Sequence, residues 1–126
     1  MPFYAGGKSP AAMRRAALSC EGYIGPGHSM AELPALVAEL DRLRREAGRE
    51  HLPFEIITHI LPVDTDRPLD DYKRLRDLGV TALFLPPFDA GGVDRNRSTG
   101  LGRASSIADK RRTMEHYAET ILSRLG

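Results

Sequence analysis

The sequence predicts an α/β protein made of four parallel β/α units, half the number in a (β/α)₈ barrel. Short apolar runs alternate along the chain with longer segments whose apolar residues recur at helical spacing. The 126 residues are also about half of the roughly 250 that a complete barrel needs. An open sheet with flavodoxin-like winding is the alternative, although such a fold usually has helices on both faces and a clear switch point.

The first unit consists of a strand at Phe3–Ala5 and a helix from about Pro10 to Cys20. Ser9 and Pro10 suit a helix start, because the serine oxygen can accept a hydrogen bond from an unpaired amide. Proline is tolerated at the next position because the amide that it lacks would have no partner there. We therefore expect the helix to begin at Pro10.

The second unit consists of a strand at Glu21–Gly25 and a long helix that ends near Ala47. Ser29 and Glu32 have the spacing of a capping box and predict the start of this helix. Spacings of three and four residues predict one buried stripe, formed by Met30, Leu33, Leu36, Val37, Leu40 and Leu43. The solvated side is assigned to the charged residues Glu39, Asp41, Arg42, Arg44, Arg45 and Glu46.

The third and fourth units begin with strands at Phe54–Leu61 and Val80–Leu85. A short helix at Asp70–Leu78 separates them, and the apolar fourth strand is expected to be covered on both faces. A flexible surface loop is predicted at 89–106. The last helix is predicted at Ile107–Leu125, with one side formed by Met114, Tyr117, Ile121, Leu122 and Leu125.

Composition excludes several classes of function. The 18 basic and 17 acidic residues give a net charge of +1, so no global field attracts nucleic acid or a membrane surface. Cys20 is the sole cysteine, which excludes an internal disulfide, and the four histidines show no metal-ligand spacing. No apolar run approaches the roughly 20 residues of a membrane span, and no signal-peptide pattern is present. We expect a cytoplasmic protein of one domain, 1–126.

The most informative motif is the turn after the first strand, where Gly6 and Gly7 precede Lys8, Ser9 and Pro10. Glycines let the backbone approach a ligand closely, and the first amides of the following helix lack intrahelical partners. Lys8 could add a positive charge beside them. The turn is therefore a candidate phosphate site, and an ordinary strand-to-helix turn is the alternative.

The run Pro2–Ala17, followed by Glu21–Ile24, resembles the luciferase-like monooxygenase family. The similarity continues through the helix after His28 and the entry to the fourth strand, Gly79–Thr81. The family fold is a complete barrel, and the resemblance implies that this chain is the C-terminal half. It also implies FMN or the deazaflavin coenzyme F-420 as cofactor, with its phosphate bound by Gly6, Gly7, Ser9 and Pro10.

The chain departs from the family in two respects. Glu21 replaces the usual aspartate, a change that a structural carboxylate would tolerate. The first four β/α units, which in the family supply most contacts to the flavin ring, have no counterpart in this chain. We therefore assign no catalytic residue and expect the isolated chain to be inactive. The alternative is a non-catalytic half-barrel that associates with itself or with a partner chain such as a missing N-terminal half.

Two histidines are candidates for a substrate pocket that takes a small molecule. His59 lies near the carboxyl end of the third strand, where barrel enzymes place working side chains. A structural pair between His59 and Glu55 is the competing interpretation. His28 precedes the capping box, where a solvated loop histidine is the alternative.

The remaining candidates are interpreted structurally. Cys20 is assigned to packing. The arginines of the predicted loop, Arg95, Arg97 and Arg103, are assigned to a solvated segment, which lacks the aromatic residues typical of nucleic-acid binding.

Overall fold

The computed structural model describes residues 1–86 and 106–125, and within them a parallel sheet alternates with helices. The strands, in their order across the sheet, are β1 (Tyr4–Gly6), β2 (Gly22–Ile24), β3 (Glu55–Thr58) and β4 (Ala82–Leu83). The helices are α1 (Pro10–Ser19), α2 (Leu33–Glu46), α3 (Leu69–Leu78) and α4 (Ile107–Tyr117), which continues through a π-helical turn (Ala118–Leu122) into α5 (Ser123–Leu125). The predicted α/β class is confirmed.

The described strands follow one another across the sheet in chain order, and every pair is parallel. Flavodoxin-like winding requires a reversal of strand order, which the described strands do not contain. The sequential order is compatible with consecutive β/α units along a barrel wall. The loop predicted at 89–106 and its three arginines lie outside the described residues, apart from Ser106.

The two faces of the sheet differ in burial. Ala5, Tyr23 and Ile56 lie side by side across three strands, and each is at most 8% exposed. Helix α1 packs against this part of the sheet and against α2. The opposite face carries the half-buried or exposed residues Tyr4, Gly6, Ile24, Glu55, Ile57 and Ala82, together with the buried Gly22. Along β3 the buried Ile56 and Thr58 thus alternate with the exposed Glu55 and the half-buried Ile57.

The prediction that the fourth strand is covered on both faces is wrong for the described chain. Thr81 and Ala82 are exposed, and Phe84 is 53% exposed. Among the described strands β4 has β3 as its single neighbour, so it lies at an edge of the sheet. The continuous apolar run at β4 therefore belongs to an edge strand, and the described residues do not cover both of its faces.

Helix α2 confirms the predicted stripe from Leu33 onward but not the assignment of Arg44 to solvent. Arg44 is 9% exposed, donates to the carbonyls of Arg49 and Leu52, and stacks 4.5 Å from the centre of the Phe54 ring. The predicted capping hydrogen bonds of Ser29 and Glu32 form across a turn that precedes the helix.

The chain divides into two compact units, Met1–Leu61 with Arg74–Phe84, and Pro62–Lys73 with Leu85–Gly126. In the second unit Tyr117 and Ile121 are buried as predicted, whereas Met114 and Leu122 are about three-fifths exposed, at 60% and 61%. Leu122 lies within the π-helical turn, which is wider than an α-helical turn, so a fixed α-helical period misplaces it. None of the helices in the described ranges is long and apolar enough to span a membrane.

Candidate functional site

The candidate site lies at the carboxyl edge of the sheet, where β1, β2 and β3 end side by side. Beyond the strands, the backbone amide of Gly25 donates to Ile57 at 2.7 Å. His28 forms an isolated parallel bridge with Ile60, in which its amide donates to the His59 carbonyl at 3.0 Å. These bonds bring the segments after β2 and β3 together at the edge where α/β proteins bind ligands.

Glycine is favoured at the last residue of β1 and at the residue that follows it. Gly7 has a φ of +119°, and a Cβ there would lie 3.1 Å from the Ala12 Cβ. A Cβ on Gly6 would lie 3.2 Å from the Ile24 carbonyl oxygen. The Tyr23 hydroxyl donates to the Gly7 carbonyl at 2.8 Å and fixes this turn from the neighbouring strand.

Helix α1 begins as predicted, with Pro10 in its first position. The Ser9 Oγ accepts a hydrogen bond from the Ala12 amide at 3.1 Å, which leaves its own proton without an acceptor among the described residues. The first turn of α1 carries no acidic side chain. We call Gly6, Gly7, Ser9 and Pro10 the glycine cradle. These four residues are exposed or half-exposed, so a ligand can reach the Ser9 hydroxyl and the start of α1.

His28 is buried, at 4% exposed, so its interpretation as a solvated loop histidine is wrong. Its Nδ1 lies 3.1 Å from the Thr58 Oγ1, and Thr58 also donates to the His59 carbonyl at 3.3 Å. A hydroxyl has one proton, so a Thr58 that donates to His59 accepts from the Nδ1–H of His28. The neutral His28 ring then presents an unprotonated Nε2.

His59 is half-buried on the open face of the sheet and rests against Gly27. A Cβ on Gly27, whose φ is +110°, would lie 2.5 Å from the His59 Nε2. The expected pair with Glu55 is wrong, because the Glu55 carboxylate accepts from the Tyr4 hydroxyl at 2.6 Å. No side-chain hydrogen bond of His59 is formed with the described residues.

Gly22 explains how Tyr4 reaches Glu55. The three residues are in register across β1, β2 and β3, and a Cβ on Gly22 would collide with the Tyr4 ring. The aromatic ring therefore crosses β2 over the glycine. The sequence signal for this contact was a glycine within a strand, which indicates a close approach.

The positive charge of Lys8, which lies between Gly7 and Ser9 in the sequence, acts on both histidines. Burial lowers the pKa of His28 and of His59, and the positive charge of Lys8 lowers both further. Glu32 partly opposes this shift at His28, and His59 adds to it. The pKa values of both histidines therefore lie below their ordinary value of 6.5, which favours the neutral rings at pH 7.

The remaining predicted groups have structural partners. The Glu21 carboxylate accepts from the Phe3 amide at 2.7 Å, which ties the start of β1 to the start of β2. Cys20 is a buried free thiol, and its carbonyl accepts from Arg49. Across residues 1–86 and 106–125, no group of three or more His, Cys, Asp or Glu side chains could hold a metal ion.

No protein-family model matches this chain. Its similar curated proteins include the uncharacterized proteins Rv0940c of Mycobacterium tuberculosis (strain H37Rv) and Mb0965c of Mycobacterium bovis. Each is 34% identical to it over 128 aligned residues. The match covers 99% of this chain and 39% of the relative, so the chain spans well under half of each relative's length.

Proposed function

We propose that this chain is the cofactor-phosphate-binding half of a luciferase-like oxidoreductase that uses FMN or the deazaflavin coenzyme F-420. The observation that carries the proposal is the glycine cradle. The first strand is followed at once by two glycines, Gly6 and Gly7, where an added Cβ would lie only 3.2 and 3.1 Å from neighbouring atoms, and the first turn of the next helix has no acidic residue. Such a turn accommodates a phosphate at close range.

We further propose that the four β/α units are the C-terminal half of a (β/α)₈ barrel. The sequential strand order and the single buried face support this, because a barrel wall has helices outside and its other face inside. The relatives extend far beyond the matched region, which leaves length for further β/α units. The half-exposed Ile24 and Ile57 would then lie inside the closed barrel.

In this proposal each cradle residue has a defined task. Gly6 and Gly7 admit the phosphate, Ser9 donates its free hydroxyl proton, and Pro10 begins the helix whose positive end faces the anion. The bound cofactor supplies the hydride or oxygen chemistry. His28 and His59 line the adjoining pocket for a small-molecule substrate, and no residue of this chain is assigned to catalysis.

The first experiment compares FMN, riboflavin and coenzyme F-420 as ligands of the purified chain at a known oligomeric state, with cofactor fluorescence as readout. Riboflavin has the same ring system as FMN but no phosphate. We expect FMN to bind at least about tenfold more tightly than riboflavin, since charge-assisted contacts to the phosphate supply the difference. Equal affinities would contradict the phosphate site.

The variant Gly7→Asp places a carboxylate in the glycine cradle and should abolish FMN binding. The matched control is Gly48→Asp, because Gly48 also has a positive φ of +67° and open space around its Cβ position. Gly48→Asp should keep the affinity of the wild type. Circular dichroism of both variants separates loss of the site from loss of the fold.

A non-catalytic half-barrel that associates with itself or with a partner chain is the second candidate. The exposed Phe84 and the single neighbours of β1 and β4 among the described strands favour it. Sedimentation equilibrium of the wild type and of Phe84→Asp tests this candidate. A stable dimer that dissociates in the variant, without affinity for either cofactor, would support it over the oxidoreductase.

A further inference from the structure

We propose that α4, with the π-helical turn that continues it, is a self-association surface that pairs antiparallel with the same helix of a second copy of this chain. The surface is a stripe of exposed residues at spacings of three and four, formed by Ile107, Arg111, Met114, Ala118 and Leu122. We call it the α4 stripe. Neither the glycine cradle nor a bound cofactor takes part in this association.

The α4 stripe is exposed although it carries large apolar side chains. Ile107, Met114 and Leu122 are 80%, 60% and 61% exposed. Tyr117 and Ile121 of the same helix are buried, so the helix packs against its own unit with a different side. A row of exposed apolar side chains on one side of a helix indicates an interaction surface.

One flank of the α4 stripe carries charged side chains in a fixed order. The basic Arg111 comes first, and the acidic Glu115 and Glu119 follow at four-residue spacings. All three are exposed, and none forms an ion pair with a described residue. Arg112, further round the helix, is by contrast paired with Asp109. The flank therefore has both signs of charge available for a partner.

The order of these charges favours an antiparallel pair of identical helices. A two-fold axis across such a pair places each flank beside the same flank of the second copy, with its order reversed. Arg111 of one copy then lies close to Glu115 and Glu119 of the other, and the same contacts form again across the axis. A parallel pair would instead place Lys110 beside Arg111 of the second copy, and like charges disfavour that arrangement.

The apolar side chains match in the same antiparallel arrangement. Ile107 and Leu122 lie toward opposite ends of the α4 stripe, so Ile107 of one copy contacts Leu122 of the other. The two Met114 side chains lie together near the axis. The small Ala118 lets the two helices approach closely. The helix dipoles also oppose each other, which favours this pairing.

Sedimentation equilibrium of the chain without cofactor tests the surface. A single helix pair buries less than the roughly 1,600 Å² of a standard interface, so we expect a weak dimer. Met114→Glu should raise the dimer dissociation constant at least about tenfold, because two carboxylates would then lie near the axis. The matched control is Leu18→Glu, which adds the same charge at a leucine of α1 that is 37% exposed. This control and Phe84→Asp should both leave the dimer unchanged.

A charge-swap experiment tests the antiparallel arrangement. Arg111→Glu makes the flank wholly acidic, and Glu115→Arg combined with Glu119→Arg makes it wholly basic. Each variant should associate with itself about three- to tenfold more weakly than the wild type, because like charges then lie beside each other. An equimolar mixture of the two should associate at least as tightly as the wild type, since the acidic flank then lies beside the basic one.

The opposite results would overturn the inference. One is a wild type that stays monomeric at every concentration, and another is a dimer that Leu18→Glu weakens as much as Met114→Glu does. A dimer lost in Phe84→Asp but kept in Met114→Glu would place the association at the sheet edge instead. A monomeric wild type that Met114→Glu makes less stable to heat would show that the chain covers the α4 stripe itself. Failure of the mixed variants to associate would contradict the antiparallel pairing.

Discussion

Helices α1 and α4 both begin with a serine N-cap, but they differ in whether an acidic side chain lies at the positive end of the helix. In each, a serine at the N-cap accepts a hydrogen bond of 3.1 Å from the amide three residues later. In α4 that later residue is Asp109, whose Oδ2 in turn accepts from the amide and the hydroxyl of Ser106. In α1 the same position is Ala12, and no acidic residue lies in the first turn.

The difference shows which helix start is available to a ligand. Hydrogen bonds from Ser106 lower the pKa of Asp109, so its carboxylate stays ionised and neutralises the end of α4. The hydroxyl proton of Ser106 is also used there, whereas that of Ser9 has no acceptor among the described residues. The Asp109 carboxylate therefore occupies the start of α4. The start of α1, which follows two glycines, has no such anionic side chain.

The largest expected effect comes from adding an acidic side chain to the first turn of α1, where α4 already has one. Ala11 is exposed at the second position of α1, and Ala11→Asp would add a carboxylate to that helix end. We expect FMN affinity to fall by about tenfold or more, because the carboxylate competes with the phosphate. Thermal stability should stay the same or rise, since an acidic residue suits a first turn.

The matched control for this prediction is Ala108→Asp. Ala108 is exposed at the second position of α4, so both variants add the same charge at the same helical position. Ala108→Asp should leave the FMN affinity unchanged. If both variants weakened binding equally, the cause would be the added charge in general, and the glycine cradle would not be the binding site.

The second prediction separates capping from ligand binding. Ser9→Ala and Ser106→Ala each remove an N-cap and should lower the free energy of unfolding by about 1 kcal/mol. Ser9→Ala should in addition weaken FMN binding about three- to tenfold, which is about 0.7–1.4 kcal/mol, the usual net contribution of one hydrogen bond. Denaturant unfolding and fluorescence titration of both variants check this. Equal FMN affinities in the two variants would remove Ser9 from the site.

Local features of the fold could be predicted from sequence, because short-range rules decide them. The start of α1 follows from Ser9 and Pro10, which satisfy or remove amides within the same turn. The buried stripe of α2 follows from its periodicity. The glycine cradle could be predicted as a candidate for the same reason, since the positive φ of Gly7 requires glycine.

Side-chain contacts between residues far apart in the sequence could not be predicted. Arg44 is buried because carbonyls beyond the end of α2 and the Phe54 ring satisfy its guanidinium. Glu55 pairs with Tyr4 because Gly22 lets the ring cross β2. For His28 a signal was present in the flanking Gly25 and Gly27, since a Cβ on Gly25 would lie 2.6 Å from its ring. Each case depends on the register between strands or on distant carbonyl groups.

The smallest expected effect is the response of the two helix starts to acid. The pKa of Asp109 is below its ordinary value of 3.8, so its capping contribution is fully present above that value and is lost as the pH falls through the lowered pKa. The serine cap of α1 does not titrate. Amide hydrogen exchange at the first turn of α4 should therefore accelerate on acidification, after correction for the intrinsic exchange rate, more than exchange at the first turn of α1. Asp109→Asn should abolish that difference, because the amide side chain does not ionise. An equal acid response in the variant and the wild type would show that Asp109 does not close the start of α4, and the contrast with α1 would then depend on the glycine turn alone.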